Sequence, residues 1–267
     1  MTNAQKIIFP CFIGEFGHEL FNWQAHLRKL SRSYSHVITY CRDRNTELYK
    51  DFSHEIITID SESLPADLNS ESSMVVLPKQ FSNSENNSLF ICPPTLPPTR
   101  KEWEECEPHP EYVPLGNKET KKTYDAVLHL RNRVHRQHGN DSLDWSLKLT
   151  ERLSREYNIC IIGATGGAVN PNDHGLNVPA FFDKNLRDLA LICRSSKICV
   201  GVSSGPMHFS ALCETPVCVW TNERGMKLHN RYKTTWNPFK VGVDYFPNRP
   251  SIEQILESVS LKQNNTT

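Results

Sequence analysis

The sequence has no apolar run approaching the ~18 residues a membrane-spanning helix needs. Its first such run, Ile7-Ile8-Phe9-Pro10-Cys11-Phe12-Ile13, is short and has no small-residue cleavage site after it, so it predicts a buried first strand. Net charge is also missing, because Lys+Arg and Asp+Glu number 30 each. That excludes a global field drawing the chain to nucleic acid or anionic membrane. Any anion it binds must be held by a local site. No CxxC pair occurs, and the nine cysteines are an odd number, so neither a disulfide framework nor a zinc site is indicated. Several lie inside apolar runs, where Cys acts as a small core residue, and a reducing, cytoplasmic setting fits. There is no Asp-x-Asp pair to hold a divalent ion. Gly163-Ala164-Thr165-Gly166-Gly167-Ala168 is glycine-rich but lacks a following Gly-Lys-Ser/Thr, which excludes a P-loop.

What is present is alternation. The 267 residues suffice for one large domain or two small ones. Strands are expected at Lys6–Phe12, Val37–Cys41 and Glu55–Ile59, with short apolar runs at Met74–Leu77 and Leu89–Cys92. A helix is expected over Glu19–Leu30, where Leu20, Trp23, Leu27 and Leu30 fall at helical spacing. Seven prolines then crowd the stretch from Pro93 to Pro114. Proline removes a ladder donor and fixes the backbone, so this stretch reads as an interdomain linker. Strands at Ala126–Leu130, Asn158–Ile162, Lys197–Val202 and Pro216–Trp220 follow, with helices at Leu143–Tyr157, Asn185–Arg194 and Pro206–Cys213. A last helix opens on a capping box, Ser251 with Gln254. Such alternation indicates an α/β fold with parallel sheets. The expected division is a first domain over 1–92, a linker over 93–122 and a second domain over 123–267.

One segment carries the most chemistry. Lys197–Val202 is a strand, Ser203-Ser204-Gly205 a small-residue turn, and Pro206-Met207-His208 begins a helix. Ser203 or Ser204 can cap that helix, and Pro206 suits a first turn that needs no donor from it. Gly201 and Gly205 let backbone approach a ligand closely. Free amides and the helix dipole make an anion site, the dipole contributing roughly 0.3–2 kcal/mol per charge. A plain capped strand–helix turn is the competing reading.

Leu186-Arg187-Asp188-Leu189-Ala190-Leu191-Ile192-Cys193-Arg194, then Ser204-Gly205-Pro206-Met207-His208 and Thr215-Pro216-Val217-Cys218-Val219-Trp220, resemble the heptosyltransferases, glycosyltransferase family 9. The resemblance implies two Rossmann-like domains of the GT-B type with a donor-binding cleft between them. It implies that Ser204–His208 bind the diphosphate of a nucleotide sugar. The family has Asp where this chain has Ser203, a departure at a donor-binding position. Gly14-Glu15-Phe16-Gly17-His18-Glu19-Leu20 is similar to the family's Gly-Asp loop, whose Asp is the proposed catalytic base. Glu15 aligns with that Asp, Glu19 is its rival one turn on, and His18 completes the candidate catalytic set. The competing reading makes both acids first-turn residues favouring the helix dipole.

His129-Leu130-Arg131-Asn132-Arg133 follows the first strand of the second half and also looks like the His-x-Arg-Arg stretch of fucosyltransferases that use a GDP sugar. Arg131, Arg133 and Arg136 offer planar forks suited to phosphate oxygens, with a charged solvated loop as the competing reading. Gly163 ends a strand where the chain could pass the donor's ribose, with a plain Gly-rich turn as the competing reading, and Glu223 could bind a ribose hydroxyl, although an exposed loop acid is the stronger reading of it. The resemblance therefore implies an inverting, metal-independent glycosyltransferase without a cofactor. Its partners would be a GDP-, ADP- or UDP-linked sugar and a glycan acceptor. A sugar-nucleotide epimerase or hydrolase, and a nucleotide-sugar-binding module without catalysis, are the alternatives.

Overall fold

The computed structural model describes residues 6–60, 75–76, 88–90, 110–134, 137–221 and 225–264. The chain divides into two compact units, Met1–Val113 and Pro114–Thr267. Arg136, Glu223, the segment 82–87 and the proline-rich residues 93–109 lie outside the described residues.

The first unit is built on a parallel sheet in the order β4-β3-β1-β6, with β1 at Lys6–Phe9, β3 at His36–Arg42, β4 at Glu55–Ile59 and β6 at Ser88–Phe90. The single strand expected over Lys6–Phe12 is broken at Pro10, which has no N–H to give a ladder. Beyond it β2, Cys11–Phe12, pairs antiparallel with β5, Val75–Val76. The chain then enters α1, Phe16–His18, a π-helical turn at Glu19–Trp23, and α2, Gln24–Ser31. A 3₁₀ stretch, Asp43–Leu48, follows β3.

The second unit is a six-stranded, wholly parallel sheet. Its strands are β7 (Tyr124–His129), β8 (Ile159–Gly163), β9 (Ala180–Phe182), β10 (Ser196–Val202), β11 (Val217–Trp220) and β12 (Val243–Phe246). The order β12-β11-β10-β7-β8-β9 is that of a dinucleotide-binding Rossmann sheet. Its helices are α3 (Leu143–Ser154), α4 (Leu186–Arg194), α5 (Gly205–Leu212), α6 (Gly225–Lys233) and α7 (Ile252–Asn264). Buried Ala126, Leu128, Ile161, Ile198 and Val200 from the central strands pack with Leu149 and Leu153 of α3 and Ile255 and Val259 of α7. Strands buried on both faces explain why they read as unbroken apolar runs. The seven described cysteines are all buried thiols, as their apolar neighbours suggested.

Helix ends follow local chemistry. Ser142 caps α3 by accepting from Trp145 N, and Asn185 caps α4 by accepting from Asp188 N. Ser251 and Gln254 form the expected capping box, each side chain accepting from the other's amide at 3.2 and 2.9 Å. Where described, the stretch expected as a linker is tied down. Glu111 N donates to Ala25 O, and the Tyr112 hydroxyl donates to Phe21 O. Leu115 is buried, donates to Leu212 O and accepts from Arg194 Nε at 2.8 Å. Among the described residues, no helix is long and apolar enough to cross a membrane.

Candidate functional site

In a sheet of this order the chain leaves β7 toward β8 and β9 on one side, and the strands from β10 onward extend the other. The crevice at the carboxyl ends of β7 and β10 is the topological switch point, where such sheets bind ligands. Residues 129–133 and 203–208 emerge there.

The start of α5 is made by its N-cap, Ser204, in extended backbone at φ −159° and ψ 173°. Met207 N and His208 N both donate to the Ser204 carbonyl, at 3.0 and 3.1 Å. Pro206 has no amide proton, so Gly205 supplies the first-turn donor that precedes the helical ladder. The expectation of a side-chain cap needs correcting. The Ser204 hydroxyl turns back to donate to Val202 O at 2.9 Å and lies 3.2 Å from His129 Nδ1. Ser203 donates its amide to Trp220 O, and its hydroxyl sits 3.2 Å from the Tyr232 hydroxyl on α6.

Two of the expected donor residues have buried side chains. Met207 is fully buried. His208 is 7% exposed, with its ring 4.2 Å from Trp236 and 5.6 Å from Tyr232. Burial, aided by the Arg231 charge, pulls its pKa down to about 3, so the ring is neutral at pH 7. Both residues therefore contribute packing beneath the turn, while Ser203–Pro206 remain partly accessible.

On the β7 side, Arg131 is half-buried and forms an isolated bridge with Ala168. Its guanidinium lies against Gly139, where a β carbon would come within 2.7 Å of Nη1. Arg133 is exposed, and Asn140 clasps its backbone, accepting from its amide at 3.0 Å and donating to its carbonyl at 2.8 Å. Both charges reach His129, which is 6% exposed. Burial and these two arginines lower its pKa to about 4. Gly163 has a packing reason to be glycine, since a β carbon there would meet Ala168 Cβ at 2.5 Å and Phe182 at 3.0 Å.

In the first unit, Glu15 is the exposed N-cap of α1, and its carbonyl accepts from His18 N and Glu19 N at 2.9 and 3.2 Å. His18 is exposed, with Nδ1 3.2 Å from Asn22 Nδ2. Glu19 is different. It is fully buried, and its carboxylate accepts from Asn45 Nδ2 at 2.8 Å and from the Tyr49 hydroxyl at 2.7 Å. Burial raises its pKa, against the pull of both hydrogen bonds and the Arg42 charge. It serves as an internal anchor between the π-helical turn and the 3₁₀ stretch. His129, Asn45 and Tyr49 were not among the candidate residues. A histidine ending the apolar strand Ala126-Val127-Leu128 was the available signal for the first.

No family model matches the sequence, and no curated protein matches it either. Solved structures do. A glycosyl transferase family 9 protein from Veillonella parvula DSM 2008 aligns at TM-score 0.53 and 12% identity, over 100% of this chain and 93% of that one. The fold is that of glycosyltransferase family 9. The E. coli heptosyltransferase WaaC with ADP aligns at TM-score 0.54 and 10% identity, over 97% of this chain and 100% of that chain. The E. coli ADP-heptose LPS heptosyltransferase II gives 0.54 and 12%, over 97% and 99%. At such identities the family 9 likeness is one of fold, and chemistry must be argued from the residues.

Proposed function

We propose that the protein is an inverting glycosyltransferase that moves a sugar from a nucleoside-diphosphate sugar to a hydroxyl of a glycan acceptor. The observation that carries this reading is the start of α5 at the β7–β10 switch point, with its cap turned away and two arginines on the facing strand end. The helix dipole and the Gly205 amide favour an anion there, and Arg131 and Arg133 add charge. Of the solved structures of this fold, WaaC carries ADP and heptosyltransferase II is described by ADP-heptose, which favours an ADP-linked donor over GDP or UDP.

In the reaction, the acceptor oxygen attacks the sugar's anomeric carbon while the bond from that carbon to the diphosphate breaks. The Glu15 carboxylate takes the acceptor's proton, and the nucleoside diphosphate leaves with the bonding electrons. A positioned base is worth ~10²–10⁴ in rate. Glu15 is preferred to Glu19 because its carboxylate is exposed, whereas both oxygens of Glu19 are committed inside the unit. Leaving-group stabilisation falls to the Ser204–Gly205 turn and the arginines, so no divalent ion is required. His208 underpins that turn.

The test is a thermal-shift panel of ADP-, GDP- and UDP-sugars, followed by turnover with acceptor glycans in EDTA. Preferential binding raises stability by about 2.7 kcal/mol at a hundredfold excess over Kd. A selective shift with one sugar, then acceptor-dependent transfer in EDTA, is expected. Free sugar released without acceptor would mean a hydrolase, binding without turnover a binding module, and a strict metal requirement would overturn the assignment to arginine and dipole.

A further inference from the structure

We propose that His129 is a positioning residue of the diphosphate site, acting by holding the Ser204 hydroxyl away from the helix that Ser204 begins. The inference rests on the reading of that site given above. Ser204 has one hydroxyl proton, and the 2.9 Å contact to Val202 O takes it. The 3.2 Å contact to His129 Nδ1 must then be made by a ring proton, with Nδ1–H donating to Oγ. The ring is almost wholly buried and is neutral at pH 7, so it has one such proton to place.

Its position is set by the backbone. His129 pairs with Gly201 across the β7–β10 ladder, and a β carbon at 201 would come within 2.7 Å of the His129 carbonyl. The two strand ends are therefore as close as the missing side chain permits. A serine at an N-cap ordinarily accepts an amide proton of the helix it begins. Here that role is forfeited, because the hydroxyl is turned back toward the strand, giving its proton to Val202 O and one of its two lone pairs to the ring. The consequence is a helix start whose unused donor is kept for an external anion, with the peptide between Ser204 and Gly205 held in one orientation.

Isothermal titration of the full chain with ADP, GDP, UDP and inorganic pyrophosphate tests this. For whichever probes the wild type binds, His129→Ala is expected to weaken Kd by about tenfold, a difference of about 1.4 kcal/mol. His129→Asn, whose side-chain N–H can stand in for Nδ1–H, is expected to recover most of that loss. Ser204→Ala should weaken binding similarly, and the double variant should be no worse than either single one. A merely structural histidine would lower Tm and leave the affinity of the folded protein unchanged. Wild-type affinity in His129→Ala, or effects that multiply in the double variant, would overturn the proposal. Should His129→Ala fail to fold, Ser204→Ala decides alone, because unchanged affinity there overturns it as well. If the wild type binds none of the four probes, the diphosphate reading itself falls and takes this inference with it. Binding by the wild type with unaffected variants sinks only the role of His129.

Discussion

The two units each contain a strand-to-helix turn with the same backbone plan and opposite chemistry. At Glu15 and at Ser204 alike, the N-cap residue is extended, its side chain caps nothing, and its carbonyl accepts from the amides three and four residues on. In the first unit the cap is an exposed carboxylate, and the residue four on is the buried acid Glu19. In the second the cap is a hydroxyl bent back toward the strand, and the residue four on is the buried neutral ring of His208. In the proposed reaction the first turn would take a proton and the second would receive an anion. The backbone supplies the frame, and the side chains at two positions, cap and cap-plus-four, decide the sign.

The sharpest way to break this comparison is to neutralise the two acids in turn. Glu15→Gln should cut kcat by ~10²–10⁴, about 3–5 kcal/mol in barrier, while nucleotide Kd and Tm stay put. Glu19→Gln should do the reverse. It replaces an acceptor of two hydrogen bonds with a group that can accept from Tyr49 but presents a donor to Asn45, at a cost of about 1–3 kcal/mol in stability. Steady-state kinetics beside thermal unfolding reads both. Loss of turnover in a stable Glu19→Gln, with Glu15→Gln unharmed, would exchange the two assignments.

A second test uses the neutral rings. His129 and His208 have folded pKa values of about 4 and about 3, below the ordinary 6.5. Between these values and 6.5 the unfolded chain binds more protons than the folded one. Their contribution is therefore fully present above pH 6.5 and is lost as pH falls toward 4. The slope is about 1.4 kcal/mol per pH unit for each ring. Urea midpoints from pH 7 to pH 4.5 should show it, and His208→Phe should remove about half. Glu19 works in the opposite sense, since its raised pKa makes deprotonation the unfavourable event. A flat profile would mean the rings are solvated in solution. A further test is at Gly201. Gly201→Ala presses a β carbon onto the His129 carbonyl and should cost about 1–3 kcal/mol by denaturation, with nucleotide affinity falling in parallel.

Most of the frame was legible in the sequence because buried parallel strands announce themselves as apolar runs between capped helices. The capping box at Ser251 and the α5 start at Gly205 were readable for the same local reason. β9 and β12 escaped because each is short and bounded by ordinary loop residues, and α6 because its visible composition is largely polar. The site was legible as segments and illegible as contacts. Nothing near Glu19 announces that Asn45 and Tyr49, 26 and 30 residues on, will enclose it. Nothing in the pair Ser203-Ser204 says which hydroxyl bends to a histidine 75 residues earlier. Such pairings are fixed by sheet order, which local spacing does not encode.

The π-helical turn at Glu19–Trp23 sets where the exposed acid points. A turn of this kind holds one more residue than an α-helical turn. Winding the same residues as regular α-helix, with α2 held in place, would swing everything upstream by about 100° about the axis. Glu15 would then leave its present heading although no atom of its own side chain had been altered. The aim of that carboxylate is thus written in how the turn downstream is wound, and a change that rewound that turn at constant length would redirect it as surely as a substitution would remove it.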